Sequence, residues 1–269
     1  ASSMSAAVWH RNPRNMDDLY GREISRAGFA EGIACLCLTI ILGGALAGTP
    51  ATIGALSFSV VYGFGVAAFT FATGYVSGGH LSPAITLAHF LLGRMTAVNV
   101  LWYWLMQFFG GALGAVWLRF TTAEKHWDMI VPNIPDESNI TKCILWELVG
   151  SFFVVFVFLN VMDDIKRVGK YGPISVGLAV SAAVLATWTY SMAGLNPAVR
   201  GVNVQVTLGK LKKEVWIYMV IPLVGGGLAA LATRVMLPIS ILERKWTSLS
   251  KPDSDYEVPA NHPFDDFDT

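Results

Sequence analysis

The sequence predicts an all-α integral membrane protein with six transmembrane helices and two half-length re-entrant helices in an inverted repeat. Three observations predict it: an apolar composition, six long apolar segments, and two short apolar pieces that begin alike. Of 269 residues, 54% are hydrophobic and 14% are charged, and the mean hydropathy is +0.51. Because soluble domains carry roughly 25% charged residues, this chain has too little polar surface for an ordinary soluble domain.

Charge and cysteine content exclude several classes of function. The 19 basic and 19 acidic residues cancel, so there is no electrostatic basis for nucleic acid as a partner, since such proteins carry a basic face. The three cysteines (Cys35, Cys37 and Cys143) make neither a disulfide framework nor a metal-ligand spacing. We therefore expect no metal site built on the cysteines.

Six segments are long enough to cross a membrane, which takes about 20 mostly apolar residues. They are bounded by charged or turn residues, and they define one membrane domain over residues 27–250, between a polar segment 1–26 and an acidic tail 251–269. The predicted spans are approximately Gly28–Ala47, Ile53–Thr73, Val98–Arg119, Ile144–Met162, Ile174–Met192 and Val215–Pro238.

The distribution of basic residues predicts the orientation. An even number of spans places both termini on one side, together with the second and fourth connections. By our count, that side holds 12 of the 19 Lys and Arg residues. Since cytoplasmic loops carry the excess of basic residues, both termini are expected in the cytoplasm. The protein itself is expected in the plasma membrane or in an organelle membrane. The acidic tail is expected to be solvated, or to dock and regulate.

Two apolar pieces are too short to span the membrane, one from Pro83 to near Leu92 and the other from Pro197 to near Leu208. Ten residues of helix reach about 15 Å, half of a hydrocarbon core. Both pieces open on an N-cap residue followed by Pro at the first helical position. Half-helices that meet at the midplane leave non-helical backbone there, which is tolerated where it lines a watery cavity. This pattern indicates a pore.

An internal repeat supports the pore. Glu31 lies 51 residues before the first short piece's cap, Ser82, and Glu147 lies 49 residues before the second cap, Asn196. The repeats cover about 27–120 and 142–238, each with three spans and a half-helix between the second and third. Because three is an odd number, the two copies are expected to sit inverted in the membrane.

The sequence SGGHLSPAITL at 77–87 and the sequence AGLNPA at 193–198 resemble the two signature loops of the aquaporins, the major intrinsic proteins. The paired motifs, at this spacing and in this hydropathy pattern, are specific. The resemblance implies a right-handed six-helix hourglass, usually a homotetramer with one pore per protomer, with no cofactor and no enzymatic activity. The midplane motifs would be formed by Ser82, Pro83, Ala84, Asn196, Pro197 and Ala198.

The first motif departs from the family, whose members usually carry Asn at both capping positions. Ser82 is a shorter donor than Asn and can also accept, which weakens the orientation of a central water molecule. It is nevertheless as good an N-cap as Asn, and two helix N-termini would still place about +0.5 of an elementary charge each at the centre. That field opposes cations and protons, so conduction and ion exclusion are expected to persist.

Three further polar residues are expected to brace the loops. In the family, the residues that match Glu31 and Glu147 accept hydrogen bonds from the re-entrant loops, which satisfies carboxylates that would otherwise be costly in apolar spans. A catalytic role for them is the competing reading, but no nucleophile, metal set or base accompanies them. His80 is expected to brace the first loop, with a pH gate as the alternative.

Counting from the motifs places the family's selectivity filter at Tyr62, Val184, Ala193 and Val199. Strict water channels usually have His where Val184 stands, and most members have Arg where Val199 stands. Arg200 comes one residue later, and one residue turns a helix by about 100°. Arg200 is therefore expected to face the protein or the outer vestibule, or, after a local shift, to reach the pore.

A filter of Tyr, Val, Ala and Val is wider and more apolar than a water filter, and is similar to those of plant vacuolar-type members. The prediction is a passive channel for water and other small neutral solutes (urea, ammonia, hydrogen peroxide or glycerol), with itself and membrane lipid as partners. One alternative is a non-conducting or weakly conducting structural member of the same fold. A coupled transporter is a second, but it needs a midplane ion site, which the sequence does not offer.

Overall fold

The computed structural model describes residues 22–48, 54–135, 138–162, 168 and 171–236. Within these residues the secondary structure is helical, and six of the helices are long and apolar enough to cross a membrane. The α-helices are α1 (Arg22–Gly48), α2 (Gly54–Ser77), α3 (Pro83–Leu91), α4 (Ala97–Thr121), α5 (Trp127–Ile130), α6 (Ile140–Val161), α7 (Gly172–Ser191), α8 (Pro197–Arg200), α9 (Val202–Thr207) and α10 (Val215–Met236).

All six predicted spans are present, and several helices extend past their apolar segments. α1 begins at Arg22 and α2 continues to Ser77, because polar residues can prolong a helix beyond its apolar stretch. The polar segment predicted over 1–26 therefore shares its last five residues, 22–26, with α1. The rest of that segment and the acidic tail 251–269 lie outside the described residues.

The two short pieces differ. The first is one helix, α3, while the second, predicted to run unbroken from Pro197 to near Leu208, breaks at Gly201 into α8 and α9. The Gly201 backbone is not helical, with φ −87° and ψ −137°. A Cβ at Gly201 would lie 2.1 Å from the carbonyl oxygen of Pro197 and 2.6 Å from the sulfur of Met219, so this crowded break requires glycine.

The helices pack as two matching sets. α1 packs on α4 in the first repeat and α6 packs on α10 in the second, while α2 and α7 join the repeats. Glycines allow the close approach. A Cβ at Gly110 would lie 2.0 Å from the carbonyl oxygen of Gly32, and one at Gly225 would lie 2.8 Å from that of Leu148. Gly32 and Leu148 directly follow the two buried glutamates, so the packing has the symmetry of the sequence repeat.

Each half-helix packs against the last span of the other repeat. The carbonyl of Ala84 on α3 lies against Gly226 of α10, and the carbonyl of Ala198 on α8 lies against Gly111 of α4. Outward-facing side chains on the spans, such as that of Phe64, remain exposed and apolar. These contacts hold α3 and α8 inside the bundle and bring their N-termini together.

Candidate pore and selectivity site

The two motif residues cap their half-helices, as predicted. Ser82 has extended backbone angles (φ −149°, ψ 134°), and its Oγ accepts a hydrogen bond from Ala84 N at 3.3 Å. Asn196 is also extended (φ −130°, ψ 109°), and its Oδ1 accepts from Ala198 N at 3.1 Å. The structure therefore preserves the N-cap geometry in both motifs despite the change of residue type.

A direct hydrogen bond joins the two motifs. Asn196 Nδ2 donates to the carbonyl oxygen of Leu81 at 2.7 Å. An amide nitrogen carries two protons, so one proton remains for another acceptor. Ser82 and Asn196 both line a narrow cavity that offers about 30 Å³ to the centres of water molecules, enough to hold water. Its walls are formed by Tyr62, Val66, His80, Leu81, Ser82, Ile85, Ser151, Val154, Val155, Val180, Leu195 and Asn196.

Glu31 binds the first re-entrant loop, residues 77–82. Its Oε1 accepts from Ser77 Oγ at 2.6 Å and His80 N at 2.9 Å. Its Oε2 accepts from Leu81 N at 2.6 Å and Gln107 Nε2 at 2.8 Å. The carboxylate is fully buried, and four donors replace the water it would otherwise bind.

Glu147 binds the second re-entrant loop, residues 191–196, in the same way. Its Oε1 accepts from Ser191 Oγ at 2.5 Å and Gly194 N at 2.8 Å, and its Oε2 accepts from Leu195 N at 2.7 Å. These donors match those of Glu31 position by position, apart from Gln107. The geometry is that of a loop brace at both glutamates.

The braced loops follow a left-handed path at matching positions. In the first loop, Gly78, Gly79 and Leu81 have φ of 90°, 64° and 55°. Positive φ is uncommon for residues other than Gly. In the second loop the three matching residues all carry side chains, with φ between 51° and 54°: Met192, Ala193 and Leu195.

His80 belongs to the first loop and lines the cavity. Its backbone N–H donates to Glu31, its Nδ1 lies 3.1 Å from Thr86 Oγ1, and its ring stacks on His89 with centroids 4.2 Å apart. Gln107 Nε2 also donates to Thr86 Oγ1, at 3.1 Å. Sequence reasoning missed Thr86, His89 and Gln107. All three are polar residues within apolar segments, and this pattern could have identified them from the sequence.

The four predicted filter residues are all buried, with exposed fractions of 2% or less for their side chains and backbone together. Tyr62 lines the central cavity and comes from α2. Val184 comes from α7, Ala193 from the second loop and Val199 from α8. The four positions come from four segments of the chain, and Val184, Ala193 and Val199 are not among the residues that line the described cavity.

Arg200 is buried, with 3% exposed, at the end of α8. Its two terminal nitrogens donate to the carbonyl oxygens of Ile130 and Met192, both at 3.0 Å. Its guanidinium carbon lies 4.8 Å from the centroid of the Phe58 ring. Ile130 belongs to the third connection, residues 122–139, so this connection contacts the end of α8. Sequence reasoning had no signal for either contact.

The family model described as the major intrinsic protein matches residues 19–233. The chain belongs to the major intrinsic protein family. Members of this family are channels and not enzymes, so the buried glutamates have no catalytic assignment here. The six apolar helices and the family together make the chain a multi-pass membrane protein.

The family relatives include plant aquaporins. The chain is 31% identical over 228 residues to probable aquaporin TIP2-2 of Oryza sativa subsp. japonica. This alignment covers 81% of this chain and 90% of that protein. It is 34% identical over 211 residues to aquaporin TIP2-2 of Zea mays, covering 76% and 79%.

Among solved structures, the aquaglyceroporin from Plasmodium falciparum matches with a TM-score of 0.67 and 15% identity, covering 82% of this chain and 99% of that one. This likeness confirms the predicted fold.

Proposed function

We propose that this protein is a passive channel for water and other small neutral solutes that excludes ions and protons. The observation that carries the proposal is the meeting of two capped half-helices at one narrow cavity, with Ser82 and Asn196 in its wall. The aquaporin relatives support the same assignment.

The midplane chemistry follows from the donors that remain there. Asn196 has a second amide proton beyond the one bound by Leu81, and Ser82 has a hydroxyl proton, so each can donate to the oxygen of a passing molecule. The two half-helix N-termini add positive partial charge, which opposes cations and proton transfer along a water wire. α3 contributes nine residues to this field, whereas α8 ends after four, so α3 is expected to supply the larger share.

The inner filter in this proposal consists of Tyr62, Val184, Ala193 and Val199. Three of its four side chains are aliphatic. They form no hydrogen bonds with a neutral solute, so they mainly limit the size of the solute that passes. Urea, ammonia, hydrogen peroxide and glycerol fit the class of small neutral solute that such a filter admits. Size and apolar contact, more than hydrogen bonding, set the selectivity at this level.

The assembly we propose is a homotetramer in a lipid membrane with both termini in the cytoplasm. Orientation rests on the excess of basic residues on the side of the termini. The tetramer rests on family resemblance. Large apolar side chains exposed on the spans provide the surface for lipid and for neighbouring copies.

The test is stopped-flow light scattering on proteoliposomes that contain the full chain, challenged first with sucrose and then with urea. We expect fast shrinkage in sucrose and fast re-swelling in urea. Fast water flux without urea flux would contradict the broad filter. Flux no higher than that of empty liposomes, from folded protein, would contradict the channel and favour the structural alternative.

A further inference from the structure

One face of α6 forms part of the cavity wall. Ser151, Val154 and Val155 all line the cavity, and residues three and four positions apart lie on the same side of a helix. Val154 and Val155 are apolar, so Ser151 is the polar member of this face. It stands one helical turn after Glu147, which holds the second re-entrant loop.

The hydroxyl of Ser151 has no hydrogen-bond partner among the residues that the structure describes. The residue is 1% exposed, and on its α10 side it meets Gly225, where a Cβ would lie 2.9 Å from that of Ser151. Gly225 offers no side chain to bond the hydroxyl. Because a buried hydroxyl without a partner is costly, we expect it to bind a molecule that enters the cavity. Rotation about the Cα–Cβ bond moves the hydroxyl between staggered positions and so lets it turn toward that molecule.

The equivalent position of the first repeat shows what Ser151 lacks. Cys35 follows Glu31 by four residues, as Ser151 follows Glu147. The Cys35 Sγ donates to the carbonyl oxygen of Leu81 at 3.4 Å. The side chain of the first repeat is thus bonded inside the protein, whereas the described residues leave the hydroxyl of Ser151 unused.

The two motif caps use their side-chain oxygens within the protein. Ser82 Oγ accepts from Ala84 N, and Asn196 Oδ1 accepts from Ala198 N. Their remaining protons serve the oxygen of a solute. A hydroxyl oxygen has two lone pairs, so Ser151 Oγ adds an acceptor for the N–H or O–H groups of that solute.

We propose that Ser151 is a third hydrogen-bonding residue of the pore, which accepts a hydrogen bond from the solute while Ser82 and Asn196 donate to the solute's oxygen. The inference rests on the proposed channel function and names its solute class: small neutral molecules with both an oxygen acceptor and N–H or O–H donors, such as urea. A solute that fills the narrow cavity displaces the water around its N–H groups, so it depends on an acceptor in the wall. Water depends on Ser151 less, because a neighbouring water molecule can accept instead.

The first test removes the hydroxyl. Ser151→Ala and the matched control Val154→Ala are reconstituted as full chains, and urea and water fluxes are measured on each by stopped-flow light scattering. We expect Ser151→Ala to lower the urea-to-water permeability ratio about three- to tenfold, which corresponds to one hydrogen bond. Val154→Ala enlarges the same wall without removing a polar group, so it should not lower the ratio.

Thermal stability separates this role from a structural one. Since the described protein gives the hydroxyl no partner, Ser151→Ala removes an unsatisfied polar group. We therefore expect its melting temperature in detergent to equal or exceed that of the wild type. A lowered melting temperature would assign the hydroxyl to the fold and contradict the proposal.

A third measurement tests whether the Ser151 side chain faces the pore. Ser151→Cys and the control Ser175→Cys are treated with mercuric chloride, and water flux is recorded before and after. Ser175 lies outside the cavity wall, and its hydroxyl donates to the carbonyl oxygen of Tyr171. We expect strong inhibition of Ser151→Cys, reversed by excess thiol, and no more inhibition of Ser175→Cys than of the wild type.

Two further results would overturn the proposal while the channel function stands. One is a wild-type urea-to-water ratio in folded Ser151→Ala, and the other is water flux through Ser151→Cys that mercury reduces no more than in the wild type. A wild type that conducts water but no urea would contradict the solute class. Absence of any flux in the wild type would instead contradict the proposed function, so the failures are distinguishable.

Discussion

The first re-entrant loop, residues 77–82, and the second, residues 191–196, follow matching backbone paths with different side chains. Both are held by a buried glutamate and both end on an N-cap residue. The first uses Gly78 and Gly79 where the second uses Met192 and Ala193, all four with positive φ. The first continues into one helix, and the second into a helix broken at Gly201.

The two loops show that the same left-handed backbone path can be formed with glycines or with residues that carry side chains. Glycine adopts left-handed angles without steric cost, whereas other residues bear roughly 1–2 kcal/mol each. The first loop carries one such residue and the second carries three. We infer that the second loop depends more heavily on its glutamate, because strained backbone persists only where its surroundings hold it in place.

The largest expected effect comes from removing that glutamate. Glu147→Ala leaves the backbone N–H groups of Gly194 and Leu195 buried without an acceptor, at about 1–3 kcal/mol each, in the loop that holds the three strained residues. Ser191 Oγ keeps its bond to the Thr187 carbonyl. We expect Glu147→Ala to lower the melting temperature in detergent, followed by tryptophan fluorescence, more than Glu31→Ala does. Glu214→Ala is the control, since Glu214 makes only a loose ion pair with Lys213 at 3.7 Å. An equal or smaller loss for Glu147→Ala would break the comparison.

Exchanging the loop residues tests the strain directly. A Cβ at Gly79 would lie 2.9 Å from both the Cα and the carbonyl oxygen of Thr70, at φ +64°, so Gly79→Ala is expected to destabilise by about 2–4 kcal/mol. Ala193→Gly relieves strain but removes a buried methyl group, and is expected to stabilise by at most about 1 kcal/mol. Melting temperatures of the two variants check this, and a tolerated Gly79→Ala would contradict it.

The two caps are expected to differ more modestly. Asn196→Ala removes both the acceptor for Ala198 N and the donor to Leu81, while Ser82→Ala removes one cap bond. We expect losses of about 2–3 kcal/mol and about 1 kcal/mol respectively, measured by thermal unfolding. The conservative variant Ser82→Asn is expected to keep wild-type stability, and equal losses for both alanine variants would show that the link to Leu81 contributes nothing.

The smallest expected effect is mercury inhibition of wild-type water flux. Cys35 and Cys143 are fully buried and Cys37 is partly buried, and the resemblance to the aquaporins places Ala193 where many members carry the mercury-sensitive cysteine. Mercuric chloride should therefore inhibit the wild type weakly. Ala193→Cys should become strongly sensitive, reversibly with excess thiol, if this loop position lines the pore. Strong inhibition of the wild type would contradict the alignment of the second loop.

Much of this molecule was predictable because membrane spans and helix caps are local. The sequence directly shows the runs of about twenty apolar residues and the cap residue before each Pro. It also shows the two glutamates at similar distances from the motifs. The break at Gly201 was not predicted, because the backbone there packs closely against Met219 on α10, a neighbour that the local sequence does not reveal. Thr86 and Gln107 were missed because their roles depend on neighbours from other helices.

The sequence by itself determined the spans, the inverted repeat, the two half-helices with their caps, and the family. Only the tertiary structure decided how Asn196 reaches Leu81, which donors surround each glutamate, and where the Arg200 side chain lies. From the sequence, the helical period predicts only which face of the short helix α8 carries Arg200. The carbonyl oxygens of Ile130 and Met192, brought from other segments of the chain, then select its final position, because a buried guanidinium goes where its protons find acceptors.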